Sequence, residues 1–264
     1  MLMLQNRVNS FSHFQLVLTL LGAFILLFIV APLLGMIIST PFKAITATAA
    51  DSQVLNSIWL SIWVAMVTSL LFAIPAIPLA YILARYNFPL KNLINGIIDL
   101  PVVIPHSVVG IALLGFIAGD GLLGKTFDAF GVKLLGTPFA IAIAMAFVSL
   151  PFLVNSARDG FQQVPERLEQ AALTLGASPF QVFFTISLPL AWRSIVTGLV
   201  MMFARGMSEF GAVVVIAYHP MVASVMIYDR FTAFGLKYAQ PAAILFLFVS
   251  LIVFISLRFF SQKR

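Results

Sequence analysis

Six stretches of this chain, at about 15–38, 56–84, 93–118, 137–157, 190–217 and 239–258, stay apolar over the length a helix needs to cross a bilayer. That length is about 20 residues, because hydrocarbon offers no water to the backbone and each crossing must satisfy its own hydrogen bonds. The expectation is an all-α membrane protein of six transmembrane helices in one domain over residues 1–264. Composition agrees. Hydrophobic residues make up 61% of the chain and charged residues 9%, with a mean hydropathy of +1.08. A water-soluble domain carries about a quarter charged residues. The chain has no cysteine, which excludes disulfides and thiolate metal sites and leaves the compartment open. Its net charge of +6 would suggest nucleic acid only if gathered on one soluble face. Here the basic residues sit singly at the ends of apolar runs, so no nucleic-acid partner is expected.

The first run follows Arg7 and extends from about Gln15 to Ile38. It exceeds the apolar core of a signal peptide, about 7–15 residues, and no small-x-small cleavage site follows it. It reads as a retained span.

Orientation follows from Lys and Arg, which accumulate in cytoplasmic loops. The N-terminus, 85–92, 158–189 and the C-terminus hold Arg7, Arg85, Lys91, Arg158, Arg167, Arg258, Lys263 and Arg264, and Arg193 lies just inside the fifth span. The opposite set holds Lys43, Lys125, Lys133, Arg230 and Lys237. The first set is the richer, so both termini are expected in the cytoplasm of a multi-pass protein of the cell membrane. No internal repeat supports an inverted-repeat carrier.

Prolines 32, 75, 78, 101, 105 and 151 fall within the spans. Each removes a backbone donor and bends its helix. Pro101 and Pro105 lie four apart, loosen one side of the same helix, and precede His106 and Ser107. This pattern fits a broken helix lining a passage; loose packing fits it as well.

Gly119-Asp-Gly-Leu-Leu-Gly-Lys-Thr126 matches the phosphate-loop pattern letter for letter. That motif works as a strand feeding a glycine turn at a helix start, with amides around the phosphates. Here it follows a membrane span on the outer side, and no strand ending in a magnesium-binding Asp accompanies it. The expectation is a glycine turn with a short outer helix, not a nucleotide site. No His, Asp or Glu cluster suggests a metal, and no nucleophile–base pair suggests catalysis.

Between the fourth and fifth spans, residues 158–189 form a polar insert. Pro165 suits a first helical position and Glu166 the positive end of the helix dipole. Leu168, Ala171, Ala172 and Leu175 recur at helical spacing as an apolar stripe. Gly176 can end that helix in the left-handed conformation. Ser178 and Pro179 then read as cap and first residue of a second helix, loaded with Phe180, Val182, Phe183 and Phe184. Pro189 marks the start of the fifth span. Such a pair can dock on a partner or lie on lipid headgroups, and periodicity does not separate the two.

The insert resembles the signature of membrane subunits of ATP-binding cassette importers, E-A-A-x3-G-x9-I-x-L-P. The chain has Gln170, Ala171, Ala172, Gly176, Ile186, Leu188 and Pro189 at that spacing. It departs at Gln170, where the family has Glu; Glu169 lies one residue earlier. Two further stretches, Asp99 to Leu114 and Arg205 to Ala212, resemble the molybdate/tungstate branch, and less closely the sulfate permeases. The resemblance implies a type I importer permease with a coupling helix between spans 4 and 5. It implies a homodimer, two cytoplasmic ATPase subunits that use ATP and magnesium, and an outer oxyanion-binding protein. The chain itself would bind no cofactor and hydrolyse nothing. Its ATPase-coupling residues would be Gln170, Ala171, Ala172, Gly176, Ser178, Pro179, Phe180 and Phe183.

The candidate pore or gate residues are Asp99, Pro101, Pro105, His106, Ser107, Arg205 and Glu209. Charges inside a membrane face protein or water. Arg205 and Glu209 stand four apart and can pair along one face. Such a pair can be structural. Alternatively it can sit at the pore, where Arg205 attracts an oxyanion and Glu209 moderates that attraction, since conduction requires release. A sulfate permease of the same architecture is the alternative cargo reading. An ion-coupled carrier or channel working without an ATPase is the alternative class.

Overall fold

The computed structural model describes the backbone of residues 13–262 and the side chains of 14–259. Arg7, Lys263 and Arg264 of the orientation argument lie outside these. Every regular element among the described residues is helical. In chain order they are α1 (His13–Ser39), α2 (Phe42–Ala49), α3 (Ser52–Arg85), α4 (Lys91–Val103), α5 (His106–Ile117), α6 (Leu122–Asp128) and α7 (Pro138–Gln163). There follow α8 (Glu166–Thr174), α9 (Pro179–Val182), a π-turn (Phe183–Ser187), α10 (Leu188–Met207), α11 (Val213–Ile216), α12 (Ala223–Phe234) and α13 (Leu236–Gln262).

Among the described residues five helical segments are long and apolar enough to cross a membrane: Phe14–Ser39, Ser52–Arg85, Pro138–Gln163, Pro179–Met207 and Leu236–Phe259. The expected third span, 93–118, is instead two helices, α4 and α5, which meet at 110°. The break falls at Ile104 and Pro105. Proline at 105 cannot donate into the α4 ladder and drives the residue before it out of the helical region; Ile104 is extended, with ψ 137°. Pro101 does not break α4, which runs through it to Val103.

The expected fifth span, 190–217, is displaced at both ends. Its helix begins at Pro179 and stops at Met207. The early start comes from the π-turn, in which the Leu188 amide bonds the Phe183 carbonyl, five residues back. That wider turn admits Pro189, which brings no donor of its own. At the early stop, residues 208–212 leave the helix axis, and the Glu209 Oε1 accepts from the Ala212 amide at 2.9 Å just before α11. The expected fourth span, 137–157, extends to Gln163. The stretch outside the long helices therefore shortens from 158–189 to residues 164–178.

The heart of the molecule is the packing of α3, α7 and α10, and small residues let their backbones approach. A Cβ added at Gly198 of α10 would stand 2.8 Å from the Ser156 Cβ, and one at Gly160 of α7 would stand 2.5 Å from the Ser194 Cβ. Ser156 crosses the same seam, its hydroxyl donating to the Ser194 carbonyl at 2.7 Å. Buried Ser57, Ser61, Ser69 and Ser149 donate to carbonyls of their own helices, which satisfies them without water. α1 leaves its first twenty or so described residues exposed and touches α13; its apolar surface faces away from the body of this chain.

The segments that join the long helices on the opposite side from the insert carry short helices. α2 occupies Phe42–Ala49 within 39–55, and α12 fills most of 218–238. Asp51 caps α3 by accepting from the Gln53 amide at 2.8 Å and pairs with Arg230 of α12, which ties these segments together. The Gly119–Thr126 stretch is a turn leading into α6. The Gly121 amide bonds the Ala118 carbonyl and the Lys125 amide bonds the Gly121 carbonyl. A Cβ at Gly124 would fall 1.6 Å from the Ala118 oxygen. The turn is closed on itself and its amides do not surround an open cradle.

Candidate functional site

The insert is held by one carboxylate. Glu169 is the buried side chain of α8, and its position in the helix turns it inward while Gln170, Ala171 and Leu173 face out. It accepts from Arg85 at the end of α3, with Nε at 3.0 Å from both oxygens and Nη2 at 2.8 Å from Oε1. The same Arg85 donates to the Val164 carbonyl at 2.9 Å and so fixes the corner between α7 and α8. Ser187 donates to Glu169 Oε1 at 2.7 Å from the π-turn. Three elements thus meet at one acid: α3, α8 and the start of the α10 crossing. Paired guanidinium contacts of this kind fix orientation as well as charge.

The ends of α8 are shaped as the sequence leads one to expect. Gly176 has φ +91°, and its surroundings are open. Its amide bonds the Leu173 carbonyl at 3.0 Å and the Ala177 amide bonds the Ala172 carbonyl at 3.0 Å, a Schellman closure. Ser178 and Gln181 form a reciprocal capping box at the start of α9, with Pro179 at its first position. α8 begins at Glu166, so Pro165 is its cap and not its first residue.

The apolar stripe does not pack inward. Leu175 is 89% exposed, Leu168 and Leu173 are exposed, Ala171 is exposed and Ala172 is half-buried. The phenylalanines divide. Phe180 is 73% exposed and stacks against exposed Phe184 at 4.6 Å between ring centres. Phe183, expected on the partner-facing surface, turns inward instead. Its ring meets Tyr81 of α3 edge-on at 5.0 Å and Phe161 of α7 at 6.0 Å. The π-turn explains this: it rotates Phe183 onto the bundle and leaves Phe184 outside. Phe184 takes the outward place that the sequence assigned to Phe183.

A second polar group lies where the two helix breaks meet. Glu209 is fully buried just past α10. Its Oε2 stands 3.0 Å from Arg205 Nη2 and 3.0 Å from His106 Nδ1, the first residue of α5. Neither contact is aligned as a hydrogen bond. Arg205 Nη2 lies 2.8 Å from both ring nitrogens of His106 and so straddles the imidazole edge. Ser224 of α12 donates to the Glu209 carbonyl at 2.7 Å. Gly211 permits the close approach: a Cβ there would stand 2.7 Å from the His106 Cβ. His106, Arg205 and Glu209 are thus brought together, whereas Asp99 is not. Asp99 faces α7, where its Oδ1 accepts from Asn155 at 2.6 Å. Pro101 is buried in α4, and Pro105 and Ser107 are exposed at the elbow. Among the described residues no cluster of His, Cys, Asp or Glu could hold a metal ion.

Sequence reading missed Arg85 and Ser187 as partners of the insert. Glu169 was visible beside the signature and Arg85 at the end of a span, but nothing in their 84-residue separation announces the contact.

Comparisons with known proteins agree with this architecture. Residues 76–264 match the family described as "Binding-protein-dependent transport system inner membrane component". The chain is 43% identical to the molybdate/tungstate transport system permease protein WtpB of Pyrococcus furiosus over 240 residues, covering 90% of this chain and 91% of that one. It is 31% identical to a probable sulfate transport system permease protein, cysT, of Chlorokybus atmophyticus, covering 96% and 92%. In structure it is similar to a chain of a bacterial ABC transporter for import of the acidic polysaccharide alginate. The TM-score is 0.73 at 20% identity, over 95% of this chain and 96% of that one.

Proposed function

The chain belongs to the family of binding-protein-dependent transport system inner membrane components, and we propose that it is the permease subunit of an ATP-driven importer of molybdate or tungstate. The cargo reading rests on the names of relatives that are about as long as this chain, with higher identity to molybdate/tungstate permeases than to sulfate permeases. In the cell membrane both termini lie in the cytoplasm, as the distribution of Lys and Arg favours. Two copies surround the path, consistent with the apolar surface that α1 leaves uncovered. The outer segments 39–55, 119–136 and 218–238 receive an oxyanion-binding protein.

The observation that carries this reading is the insert. Leu175 of the insert, with Phe180 and Phe184 at the start of the helix that follows it, forms an exposed apolar face, while Glu169 fixes the insert to α3 and to the π-turn that leads into α10. A surface of that kind can receive a partner's motion and pass it to two crossing helices at once. The partner is a cytoplasmic ATPase, which binds the ATP and magnesium; this chain holds no cofactor and performs no hydrolysis. Closure of two ATPase subunits draws the inserts together, tilts α3 and α10, and opens the path outward. Reopening after hydrolysis returns it to the inside. Along the path Arg205, flanked by His106, attracts the dianion, and Glu209 keeps that attraction weak enough for release.

Copurification tests the docking. Phe180→Asp is expected to abolish capture of the ATPase subunit by the permease while leaving the permease folded. Full capture by this variant would contradict the docking surface. Uptake of molybdate by the assembled importer, challenged with sulfate, tests the cargo. Molybdate wins in the proposed reading, and a sulfate preference would place the chain with the sulfate permeases.

A further inference from the structure

α4 carries two polar side chains, Asn95 and Asp99, on the face it turns to α7, and α7 answers with Arg158 and Asn155. Arg158 Nη1 donates to Asn95 Oδ1 at 3.1 Å. Asn155 Nδ2 donates to Asp99 Oδ1 at 2.6 Å. Residues four apart on one helix and three apart on the other share a face, so the contacts form two rungs of a ladder. Polar groups at membrane depth are costly and mark paths for water or ions.

Depth orders the rungs. α4 rises from the cytoplasmic side and α7 descends to it, in the orientation proposed above. At 1.5 Å per residue, Asp99 lies about 6 Å further along α4 from its cytoplasmic end than Asn95. Asn155 lies deeper than Arg158 by a similar step. Beyond Asp99, past the 110° elbow, stand His106 and Arg205. A dianion moving inward therefore meets a cation at Arg205, an anion at Asp99 and a cation at Arg158. A single continuous positive path would trap it; an acid between two cations divides the path into two shallow wells with a barrier between them.

The two cations differ in how they are satisfied. Arg205 faces a carboxylate that is fully buried. Arg158 has the Asn95 amide oxygen and, 3.7 Å away, the carboxylate of Asp159, which is 60% exposed. Much of its hydrogen-bonding capacity is left for an oxyanion. The deeper rung is incomplete as well, because Asn155 Oδ1 is buried without a partner.

From this placement we infer that the ladder is a second anion-contact station: Arg158 receives the tetrahedral oxyanion on the cytoplasmic side, and Asp99 is the electrostatic barrier it must cross to arrive. The inference rests on the proposed path through Arg205. In the resting arrangement Asn95 and Asn155 hold both charged groups in place. Separation of α4 from α7 frees Arg158 and draws Asp99 aside.

The test uses the complete importer, with ATPase and binding protein, in vesicles. Arg158→Gln is expected to lower ATP-driven molybdate uptake about tenfold, the loss of one charge-assisted contact, with Arg158→Lys recovering part of it. Asp99→Asn keeps the Asn155 contact and removes the barrier, so preloaded vesicles should leak molybdate several times faster without ATP. The thermal midpoint and size-exclusion profile of each assembled variant report that it has folded. Uptake within twofold of wild type in Arg158→Gln, or wild-type leak in Asp99→Asn, overturns the inference. Arg205→Gln in the same assay separates the two levels. If it is impaired while the ladder variants are normal, the ladder falls and the path stands; if it too is normal, the path itself falls.

Discussion

Arg85, the last residue of α3, and Glu169, the buried side chain of α8, form a two-pronged ion pair at 2.8–3.0 Å that joins a membrane-crossing helix to the insert. Both side chains are nearly excluded from solvent, at 7% and 10% exposure. Removing one partner of a buried pair leaves the other charge uncompensated and costs about 3–5 kcal/mol. Glu169→Ala should therefore destabilise the permease by an amount of that order, read as a fall in its thermal midpoint in detergent. Glu169→Gln, which can still accept from Arg85 and Ser187, should retain the fold better. It should still weaken the coupling of ATP hydrolysis to uptake. Full coupling in Glu169→Gln would show that charge at this joint is dispensable.

Phe180 and Phe183 should fail in different ways. Phe183 lies among Tyr81, Phe161 and Phe184, so Phe183→Asp places a charge against aromatic rings and should cost about 2 kcal/mol or more. Phe180→Asp changes an exposed side chain and should leave the unfolding midpoint within about 0.5 kcal/mol of wild type. Its defect should appear on addition of the ATPase. Unfolding curves of the isolated permease decide this; equal losses of stability would put both rings inside.

Glu209 and Arg205 form a unit with His106. Arg205→Ala alone leaves a fully buried carboxylate beside an imidazole. The double variant with Glu209→Ala removes both charges and should be the more stable of the two, by about 1 kcal/mol or more. Uptake should remain low in both, because the cation is gone in each. A double variant no more stable than the single one would show that the two charges do not compensate each other.

Asp51 and Arg230 make a pH-dependent tie on the opposite side from the insert. The Gln53 amide, and after it the Arg230 guanidinium, outweigh partial burial and hold the Asp51 carboxyl below its ordinary value of 3.8. A carboxyl whose value is lowered by folding stabilises fully above the unfolded value and loses that contribution as pH falls through the folded one. The tie should thus persist at pH 4 to 8 and weaken only below about 3.8. Thermal midpoints of wild type and Asp51→Asn, compared across that range, should differ at neutral pH and converge below it. A difference independent of pH would contradict the ion pair.

How much of this was legible depended on the range of the interaction. Local signals carried through. Gly176 ended its helix because only a residue without a Cβ adopts φ near +90° freely, Ser178 capped the next helix, and Pro105 broke the third span. These are decided within one turn of backbone. The inward turn of Phe183 was not legible, because a π-turn adds a fraction of a rotation that heptad-like counting does not anticipate. The early end of α10 was not legible either: Arg205 to Ala217 stays apolar enough to continue a span, yet the chain turns aside at 208–212, where Glu209 comes within 3.0 Å of His106 and accepts from the Ala212 amide. Gln170 directed attention to a missing acid, while the acid that holds the insert, Glu169, was one position away. Its partner stands 84 residues earlier, and periodicity carries no such information.

Uphill transport tests the central claim, that this chain moves an oxyanion with force delivered by a separate ATPase through the insert. Vesicles containing the permease alone should accumulate no molybdate against a gradient with ATP present on either side. Vesicles that also contain the ATPase, with binding protein on the outer face, should accumulate it, and Phe180→Asp should abolish that gain. Accumulation against a gradient by the permease alone would contradict the account.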